Sequence, residues 1–460
     1  MIVDQTGLQV SAASQEAAEA FDRTLVAYLR FGNDIGDLLK TTYSLDSEML
    51  LANVLRGYFM HMMGMRALVP KAQQALMAAQ RVASAATPRE QLHVKALESW
   101  CSLDLAGASA ALEECIREYP TDVLAVKMLH YTHFYTGDAV NLRNSVGRVW
   151  HAWEGREDLP TYGYMLSMRA FGLEETGDYG KAESLGRAAA SLNEADAWAV
   201  HTVAHVCEME DRRQDGLSWL ESKGGYDNWN NFRYHLAWHK AVMLFEVGRH
   251  DDVLALYDDG LFDPKSDEYL DLTNDISILA RLELEGVDVG DRWAAMGERA
   301  KGRVDDKLLA FVDAHFALAL GEVDAGAAED YVTSIDGYSD SEDDTYAHVA
   351  QIVGHDLCAA LVAYKAKDFE ACIDMLEPVR DHVKLIGGSN AQRDLFAQIL
   401  IDAAVQAEKW TLARSLLSER TTLKPKNARA WRQLIMVLKT MGDDAAAELA
   451  SLKADVTSMN

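Results

Sequence analysis

The sequence predicts an all-α protein in which antiparallel helix pairs stack into a right-handed α-solenoid. Three observations lead to this prediction: few prolines, frequent helix-forming residues, and short turns that recur down the chain. Seven prolines in 460 residues, together with abundant Ala, Leu, Glu and Met, favour helices over strands and loops. Apolar residues make up 49% of the chain, which is enough to bury a core along a whole array of helices.

Short turns recur along the chain, and the clearest is followed by an Ala-rich stretch. This copy is the run Gly177-Asp178-Tyr179, which Ala182 and Ala189 follow. Four further turns have a similar form, at Gly137-Asp138, Gly248-Arg249, Lys367-Asp368-Phe369 and Gly442-Asp443-Asp444. Each turn joins two amphipathic stretches of helical period, and such a pair buries its apolar stripe only by stacking on its neighbours. We therefore expect a superhelix with one concave face.

These helix-turn-helix units resemble the tetratricopeptide repeat, which is about 34 residues long. The match is sharpest near the C-terminus, where Pro425, Trp431, Leu438, Gly442 and Ala447 fall in register. We predict a single tetratricopeptide-like solenoid domain over residues 1–460. Two acidic stretches, 263–275 and 334–346, are expected to be solvated loops between repeats.

The formal net charge of −28 argues against partners that carry phosphate. No run of Lys or Arg offers a local exception, so we expect neither nucleic acid nor a membrane surface as a partner. The first residues have no basic flank followed by an apolar stretch, and no window approaches about 18 continuous apolar residues. These features favour a cytoplasmic protein whose partner is a small polar ligand or another protein. A homodimer through the terminal repeats is a further option.

Repeat register predicts which side chains face the concave side. In the repeat aligned on the turn at residues 210–212, the concave side chains are Trp198, His201, His205 and Glu208. In the repeat aligned on Gly248, they are His235 and Trp238, with His239 at the edge of that face. The same register places four more side chains on this side: Tyr164, Phe171, Glu174 and His315. Each of the two histidine pairs is spaced i, i+4, so its rings lie one above the other on a single helix face.

Four histidines and a carboxylate on adjacent helices suit three kinds of chemistry. Neutral imidazoles bind zinc, iron or copper, and the candidate ligands are His201, His205, His235 and His239. Without a metal, His201 or His205 is a candidate general base that Glu208 orients. A binding groove would use the same groups to hold a peptide. The simplest alternative is that these rings only pack inside the superhelix and bond to neighbouring carboxylates.

Three segments carry a more specific resemblance, which spans nearly the whole chain. Residues 162–175, 198–209 and 386–396 resemble characteristic segments of the tetratricopeptide repeat protein 38 family of bacteria and animals. The second segment is similar to the family's Trp-Ala-x-His-x-x-x-His-Val-x-Glu-Met. The chain departs from the family pattern at Leu244 and Asn390, where the family carries histidines.

The resemblance implies that the polar segments around His201, His235 and Arg393 belong to one shared design, although it implies no particular activity. Arg393, Asp394 and Gln398 fit a ligand pocket in which Arg393 clamps a carboxylate, or else a buried ion pair between repeats.

From these observations we predict a solenoid whose interior binds a small polar or charged ligand. A divalent transition metal is the candidate cofactor, and catalysis is left open. The alternative is a non-catalytic scaffold that binds a peptide or protein partner in its groove.

Overall fold

The chain is all-helical, as the sequence predicts. The computed structural model describes residues 2–224 and 229–458. Within these ranges the only extended pairings are two isolated bridges, Val3 with Gln9 and Gly32 with Trp229. Consecutive helices pack as a tetratricopeptide-like α-solenoid, which confirms the predicted fold class. In the same ranges, no helix is both long and apolar enough to cross a bilayer.

The first half of the chain forms α1 (Gln15–Leu29), α2 (Ile35–Leu45), α3 (Leu50–Met62), α4 (Val69–Ala83), α5 (Pro88–Cys101), α6 (Leu105–Glu118), α7 (Val123–Tyr135), α8 (Ala139–Val149), α9 (Tyr162–Glu174), α10 (Tyr179–Leu192), α11 (Ala197–Met209) and α12 (Arg213–Ser222). The second half forms α13 (Phe232–Glu246), α14 (His250–Leu256), α15 (Tyr269–Glu283), α16 (Arg292–Lys301), α17 (Ala310–Val323), α18 (Ala325–Ser341), α19 (Thr345–Val349), α20 (His355–Lys365), α21 (Phe369–Val379), α22 (Asn390–Gln406), α23 (Trp410–Leu423), α24 (Ala428–Thr440) and α25 (Asp444–Ser458).

The turns predicted from the sequence lie between paired helices. Their central residues all have φ between 62° and 85°, namely Gly137, Gly177, Gly248, Lys367 and Gly442. Positive φ reverses the chain tightly after a helix, and Gly adopts it without strain. In every case the second helix of the pair begins two residues later. The boundary between paired helices can therefore be located from a short local sequence motif.

One continuous apolar core runs through the stack of helices. A helix contacts both the next helix and the next but one, as α9 does with α10 and α11. Small residues allow this close packing: Ala182 and Ala189 of α10 are fully buried. At Gly172, a Cβ would lie 2.7 Å from Arg143 Cα on the neighbouring helix. Close packing of this kind fixes the phase of each helix, and hence the direction of its side chains.

Helix α22 lies inside the superhelix, against the helices whose concave sides were predicted to line a groove. It contacts α11 and α15. Arg281 of α15 donates a hydrogen bond to the carbonyl of Ala391 at 3.1 Å, and the rings of His315 and Phe396 are 5.4 Å apart. α22 buries residues on most of its circumference, which is typical of a helix enclosed by others. The chain itself therefore covers the concave face at these helices.

Early and late parts of the chain meet, so the superhelix closes on itself. The backbone N–H of Arg66 donates to Asp306 Oδ1 at 2.8 Å, across 240 residues of sequence. Gly137 fits directly against the carbonyl of Lys384, where a Cβ would lie 1.8 Å from the oxygen. Only glycine can occupy that position at its positive φ. Gly137 therefore belongs both to a repeat turn and to the contact between the early and late parts of the chain.

The acidic segments differ from the predicted loops. α18 continues through Ser341, so only residues 342–344 connect it to α19. Its Ala328, Tyr331 and Ile335 are spaced i, i+3 and i+7 and are buried. These three side chains pack the acidic part of the helix against the core. The stretch 263–275 is likewise half helical, because α15 begins at residue 269.

Candidate functional site

Two histidine pairs lie on neighbouring helices and face each other. His201 and His205 belong to α11, His235 and His239 belong to α13, and the two helices contact each other. The carboxylate of Asp196 fixes the start of α11, because it accepts hydrogen bonds from two backbone amides of the first turn. The register predicted from the sequence and the observed helix phase agree, and the structure places the four rings side by side.

The four rings form a compact cluster, which we call the histidine centre (His201, His205, His235 and His239). Ring centroids are 4.3 Å apart for His201 and His205, and 4.5 Å apart for His205 and His239. Between the helices, His201 and His235 are 5.0 Å apart. One ring nitrogen from each histidine lies within 4.8 Å of the others. The centre therefore brings four nitrogen atoms to the spacing that a single ion could bridge.

The histidine centre is buried, with exposed fractions of 2%, 0%, 4% and 0% in chain order. His239 Nδ1 donates to Glu208 Oε2 at 2.8 Å, and His235 Nδ1 lies 3.0 Å from the accepting Oδ1 of Asn274. Because an oxygen accepts at each Nδ1, both rings carry their proton there and keep an unprotonated Nε2. These two rings thus present lone pairs on their Nε2 atoms.

Several nitrogens of the histidine centre have no hydrogen-bond partner within the described ranges. They are His201 Nδ1, both nitrogens of His205, and His239 Nε2. His201 Nε2 and His235 Nε2 are 3.1 Å apart. Buried polar atoms in proteins are normally paired, so a cluster of unpaired ones indicates a missing partner.

Burial lowers the pKa of every imidazole in the centre. The pKa values of His201, His235 and His239 fall well below the ordinary value, first because of desolvation and then because of neighbouring imidazoles and other nearby cations. The pKa of His205 is also lowered by burial, although Glu175 and Glu208 act in the opposite direction. All four rings are therefore neutral at pH 7, which is the form that binds metals and accepts protons.

Two adjacent carboxyl groups, Glu174 and Glu175, flank the centre at the end of α9. Glu174 is fully buried, and His205 Nδ1 lies 3.4 Å from its Oε2. Burial raises the pKa of both groups to about 8. Glu175 accepts a hydrogen bond from the backbone N–H of Asn390 at 3.1 Å and lies 3.7 Å from Arg393. This side of the centre thus joins α22.

An aromatic cavity of about 120 Å³ adjoins the centre on the other side. His201 and His235 form part of its wall. Most of the remaining wall is aromatic and includes Tyr28, Phe31, Phe59, Tyr131, Phe134, Tyr135, Trp198, Phe232 and Tyr269. Several of these side chains, such as Phe59 and Tyr131, are only half-buried, so the cavity communicates with the surface. It is a small apolar space whose polar contacts include two imidazoles.

The predicted aromatic neighbours lie where the register places them. Trp238 stacks on His235, with ring centroids 5.4 Å apart and an angle of 8°. Phe171 contacts both His201 and His205 at 5.3 Å, and Trp198 packs against Phe171. These rings exclude water from the centre.

Glu208 differs from its predicted role. It was expected to orient His201 or His205, which share its helix, but its carboxylate accepts from His239 on α13. The reason is that Glu208 lies at the end of α11 and its side chain extends across the interface to α13.

Four other predicted site residues lie apart from the histidine centre or contact it only indirectly. Tyr164 accepts a hydrogen bond from Asn193 at its hydroxyl. His315 donates from Nδ1 to the carbonyl of Phe311 at 2.7 Å. Arg420 donates two hydrogen bonds to Asp394, and Gln398 donates to the same carboxylate at 2.6 Å.

Arg393 is held inside α22's own N-terminal turn. It donates to the carbonyl of Gly387 at 3.2 Å and to Asn390 at 2.8 Å. Arg393 and Asp394 line a second cavity rather than the aromatic one.

Sequence reasoning missed two residues of the site. Asn274 on α15 orients His235, and its signal is only a polar residue at a buried helix position. Lys127 on α7 is buried with its ammonium 4.6 to 4.9 Å from the ring centroids of Trp198, Tyr131 and Phe31. A lysine among core residues of a hydrophobic helix is a signal that the sequence does contain.

No family model matches the chain. Solved structures of helical-repeat proteins are similar to it over most of its length. A human IFIT1 dimer with PPP-AAAA is 13% identical, with a TM-score of 0.39 and coverage of 98% of this chain and 96% of that chain. A monomeric IFIT1 mutant with Gppp-AAAA is 12% identical, with a TM-score of 0.35 and coverage of 99% and 98%. Naa15/Naa10 bound to HypK-THB is 10% identical, with a TM-score of 0.25 and coverage of 95% and 68%. These similarities concern the helical-repeat architecture alone.

The exclusion of nucleic acid as a partner is wrong. PPP-AAAA and Gppp-AAAA are nucleic-acid ligands, and both were solved with a helical-repeat protein of this general kind. The net charge of a whole chain averages over its surface, whereas a ligand responds to the field inside one cleft. An overall charge of −28 therefore does not exclude such a ligand.

Proposed function

We propose that the histidine centre binds one divalent transition metal ion and that the aromatic cavity gives a small ligand access to it. The observation that carries this proposal is the set of four buried imidazoles with ring nitrogens within 4.8 Å of one another. Zinc in proteins takes either four protein ligands, in a closed site, or three with one open position. The candidate ligands are the four histidines of the centre, whose neutral rings need not lose a proton to bind.

The unpaired nitrogens favour an ion over packing alone. Each buried polar group without a partner costs about 1–3 kcal/mol. Four such nitrogens, on His201, His205 and His239, lie in one cluster. A metal ion would take one lone pair from each of these three rings, which turns an unfavourable arrangement into a more favourable one.

The distance between the inward nitrogens also supports an ion. His201 Nε2 and His235 Nε2 are 3.1 Å apart. Two ligands of a tetrahedral zinc ion are about 3.4 Å apart when each Zn–N bond is about 2.0–2.1 Å. These two nitrogens would therefore need to move apart only slightly to hold an ion between them.

The outer nitrogens of two rings have the partners that metal-bound histidines usually have. A carboxylate accepts from His239 and an amide oxygen lies against His235. Such partners fix the tautomer and orientation of the ring and raise its basicity. Glu208 and Asn274 would hold the ligands in place before the ion arrives.

The cavity indicates the class of ligand. A cavity of about 150 Å³ lined by apolar side chains holds benzene, and the aromatic cavity is slightly smaller, at about 120 Å³. Its tyrosine hydroxyls are engaged already, since Tyr135 and Tyr269 bond to each other at 3.2 Å. We infer a small ligand with an apolar body and one polar group that faces His201 and His235. A bound metal would supply a Lewis acid for that polar group.

We also propose that the chain belongs to the tetratricopeptide repeat protein 38 family. The three segments that resemble the family contribute α9, α11 and the start of α22. These are the elements that carry Glu174, His201, His205 and Arg393, so the resemblance is concentrated around the histidine centre. A shared ligand site would explain this concentration.

The scaffold alternative has less support. A peptide in the groove would have to displace α22 from α11 and α15, whose concave sides it covers. An interior site for a small ligand needs no such displacement.

Metal analysis of protein purified without a histidine tag tests the proposal. We expect about one equivalent of zinc, iron or copper per chain, and about one equivalent of Co²⁺ after exchange, with the absorption of a nitrogen-ligated ion. Replacing both His235 and His239 with Gln should remove the metal, because two ligands are lost while the volume is nearly kept.

The matched control is His315→Gln. His315, on α17, is also a fully buried histidine, but it lies outside the centre. It should leave the metal content unchanged. Wild-type protein that takes up no transition metal, or the same content in both variants, would contradict the proposal.

A further inference from the structure

A second cavity, of about 410 Å³, lies between α21, α22 and α23, and we call it the basic cavity. Its size falls within the range of about 300–1,000 Å³ that is typical of ligand sites. It is more than three times as large as the aromatic cavity.

The lining of the basic cavity carries a net charge opposite in sign to that of the whole chain. Five basic side chains line it: Arg380, Lys384, Arg393, Arg420 and Lys424. Three acidic side chains oppose them, Asp381, Asp394 and Glu419, which leaves two positive charges in excess. In a chain with a net charge of −28, such a local excess concentrates anions in the cleft.

Most of these cations have carboxylate partners, and Lys424 is the least engaged of the buried ones. Arg420 is held by two hydrogen bonds to Asp394, at 2.7 and 2.9 Å. The ammonium of Lys424 is 3.7 Å from the same carboxylate, beyond hydrogen-bond distance, and the side chain is only 13% exposed. Lys424 therefore forms an ion pair with Asp394 but no short hydrogen bond to it, which leaves its N–H donors available to a ligand.

The rest of the wall is apolar. Phe396, Leu400 and Leu416 form part of it, and Leu423 lies at its edge with 72% of its surface exposed. A cleft that combines an apolar wall with cationic side chains suits a molecule with both apolar and charged parts. Water or an inorganic ion would leave this apolar surface unused.

The inner end of the cavity approaches the histidine centre. Arg393 lies 3.7 Å from Glu175, which flanks that centre.

We propose that the basic cavity binds an organic anion with an apolar body, whose carboxylate or phosphate group pairs with Lys424. The apolar part lies on Phe396, Leu400 and Leu416. This site does not depend on a metal in the histidine centre, because none of the four histidines lines it.

Calorimetric titration of metal-free protein with octanoate, octyl phosphate and 1-octanol tests the proposal. Octanoate or octyl phosphate should bind at least about tenfold more tightly than 1-octanol, because a charged hydrogen bond is lost in the alcohol. The tighter of the two anions identifies the head group.

Two variants locate the site. Lys424→Met keeps the stem of the side chain but removes its charge, and it should weaken binding of the anion about tenfold. Ala397→Phe fills the cavity from an exposed position of α22, so it should block all three compounds without disturbing the core. The control Lys95→Met, on the exposed face of α5, should change nothing.

Affinity for both anions no higher than for 1-octanol, or unchanged affinity in both variants, would overturn the proposal. So would binding that occurs only after metal is added, because the anion would then be a ligand of the histidine centre. If the protein takes up no metal but still binds the anion, only the proposed metal site would be contradicted.

Discussion

Two groups of buried histidines in this protein differ in how their polar atoms are paired. At one group, which we call the paired network (Arg89, His93 and Asp122), His93 Nε2 donates to Asp122 at 3.0 Å and Arg89 donates to the same oxygen at 3.3 Å. At the histidine centre, four ring nitrogens have no partner within the described ranges. His93 and His205 are equally buried, so burial alone does not distinguish the two groups. The pairing of their ring nitrogens does, and four experiments can break or sharpen this comparison.

The largest effect is expected in the paired network. Asp122→Asn should lower the free energy of unfolding by about 3 kcal/mol, because buried His93 would lose its carboxylate and Arg89 would keep only Asp4. The measurement is urea unfolding followed by circular dichroism.

The pH dependence of this loss has a definite sign. His93 and Arg89 outweigh the effect of burial and hold the pKa of Asp122 well below 3.8. Its stabilisation is therefore complete above the ordinary value and is lost only as the pH falls through the lowered one. The control Asp37→Asn removes an exposed ion pair with Lys40 and should change the free energy of unfolding far less than Asp122→Asn.

Zinc should stabilise the protein through the histidine centre only. At a free concentration 100-fold above Kd, an ion that binds only the folded state adds about 3 kcal/mol. The same gain is expected in His93→Gln, although His93, Cys115 and Asp122 are also close enough to hold an ion. A gain that disappears in His93→Gln would place the metal in the paired network instead.

Lys127 extends the comparison to buried cations. Arg89 has carboxylate partners, whereas Lys127 contacts aromatic rings, and burial lowers the pKa of Lys127 to about 7. The unfolded chain keeps this proton up to about 10.5, so wild-type stability should rise with pH between these values. Lys127→Met should be more stable than wild type by about 2 kcal/mol at pH 6, and the difference should vanish near pH 10.5. A pH-independent difference between the two proteins would contradict this account.

The smallest effect is expected at Glu174. Burial raises its pKa to about 8, so the group is protonated at pH 7 and Gln closely matches it. Glu174→Gln should therefore change the free energy of unfolding by less than about 1 kcal/mol. A loss as large as that of Asp122→Asn would mean that Glu174 is ionised and paired.

The local part of the site could be predicted from the sequence. Spacing of i, i+4 places two imidazoles on one helix face, and repeat register turns the faces of α11 and α13 toward each other. The turns at residues 210–212 and at Gly248 fixed that register. Local periodicity carries this information because each repeat contacts mainly its neighbours.

The remainder depends on contacts between residues distant in sequence. Nothing in the pattern of α22 indicates that it lies inside the superhelix, because a helix apolar on most faces is compatible with many buried positions. The separation of Arg393 and Asp394 from the histidine centre follows from that placement. The acidic helix α18 was mistaken for a loop because its three buried residues are outnumbered by exposed ones.

The contact between Gly137 and Lys384 has a consequence for folding. An open array of repeats loses its end units one at a time, since each unit interacts only with its neighbours. Here a late segment is seated against an early one, so release of the last helices would uncover the interior of the whole array. We expect the helices between these two positions to unfold together, and the contact cannot form until residue 384 has been synthesised.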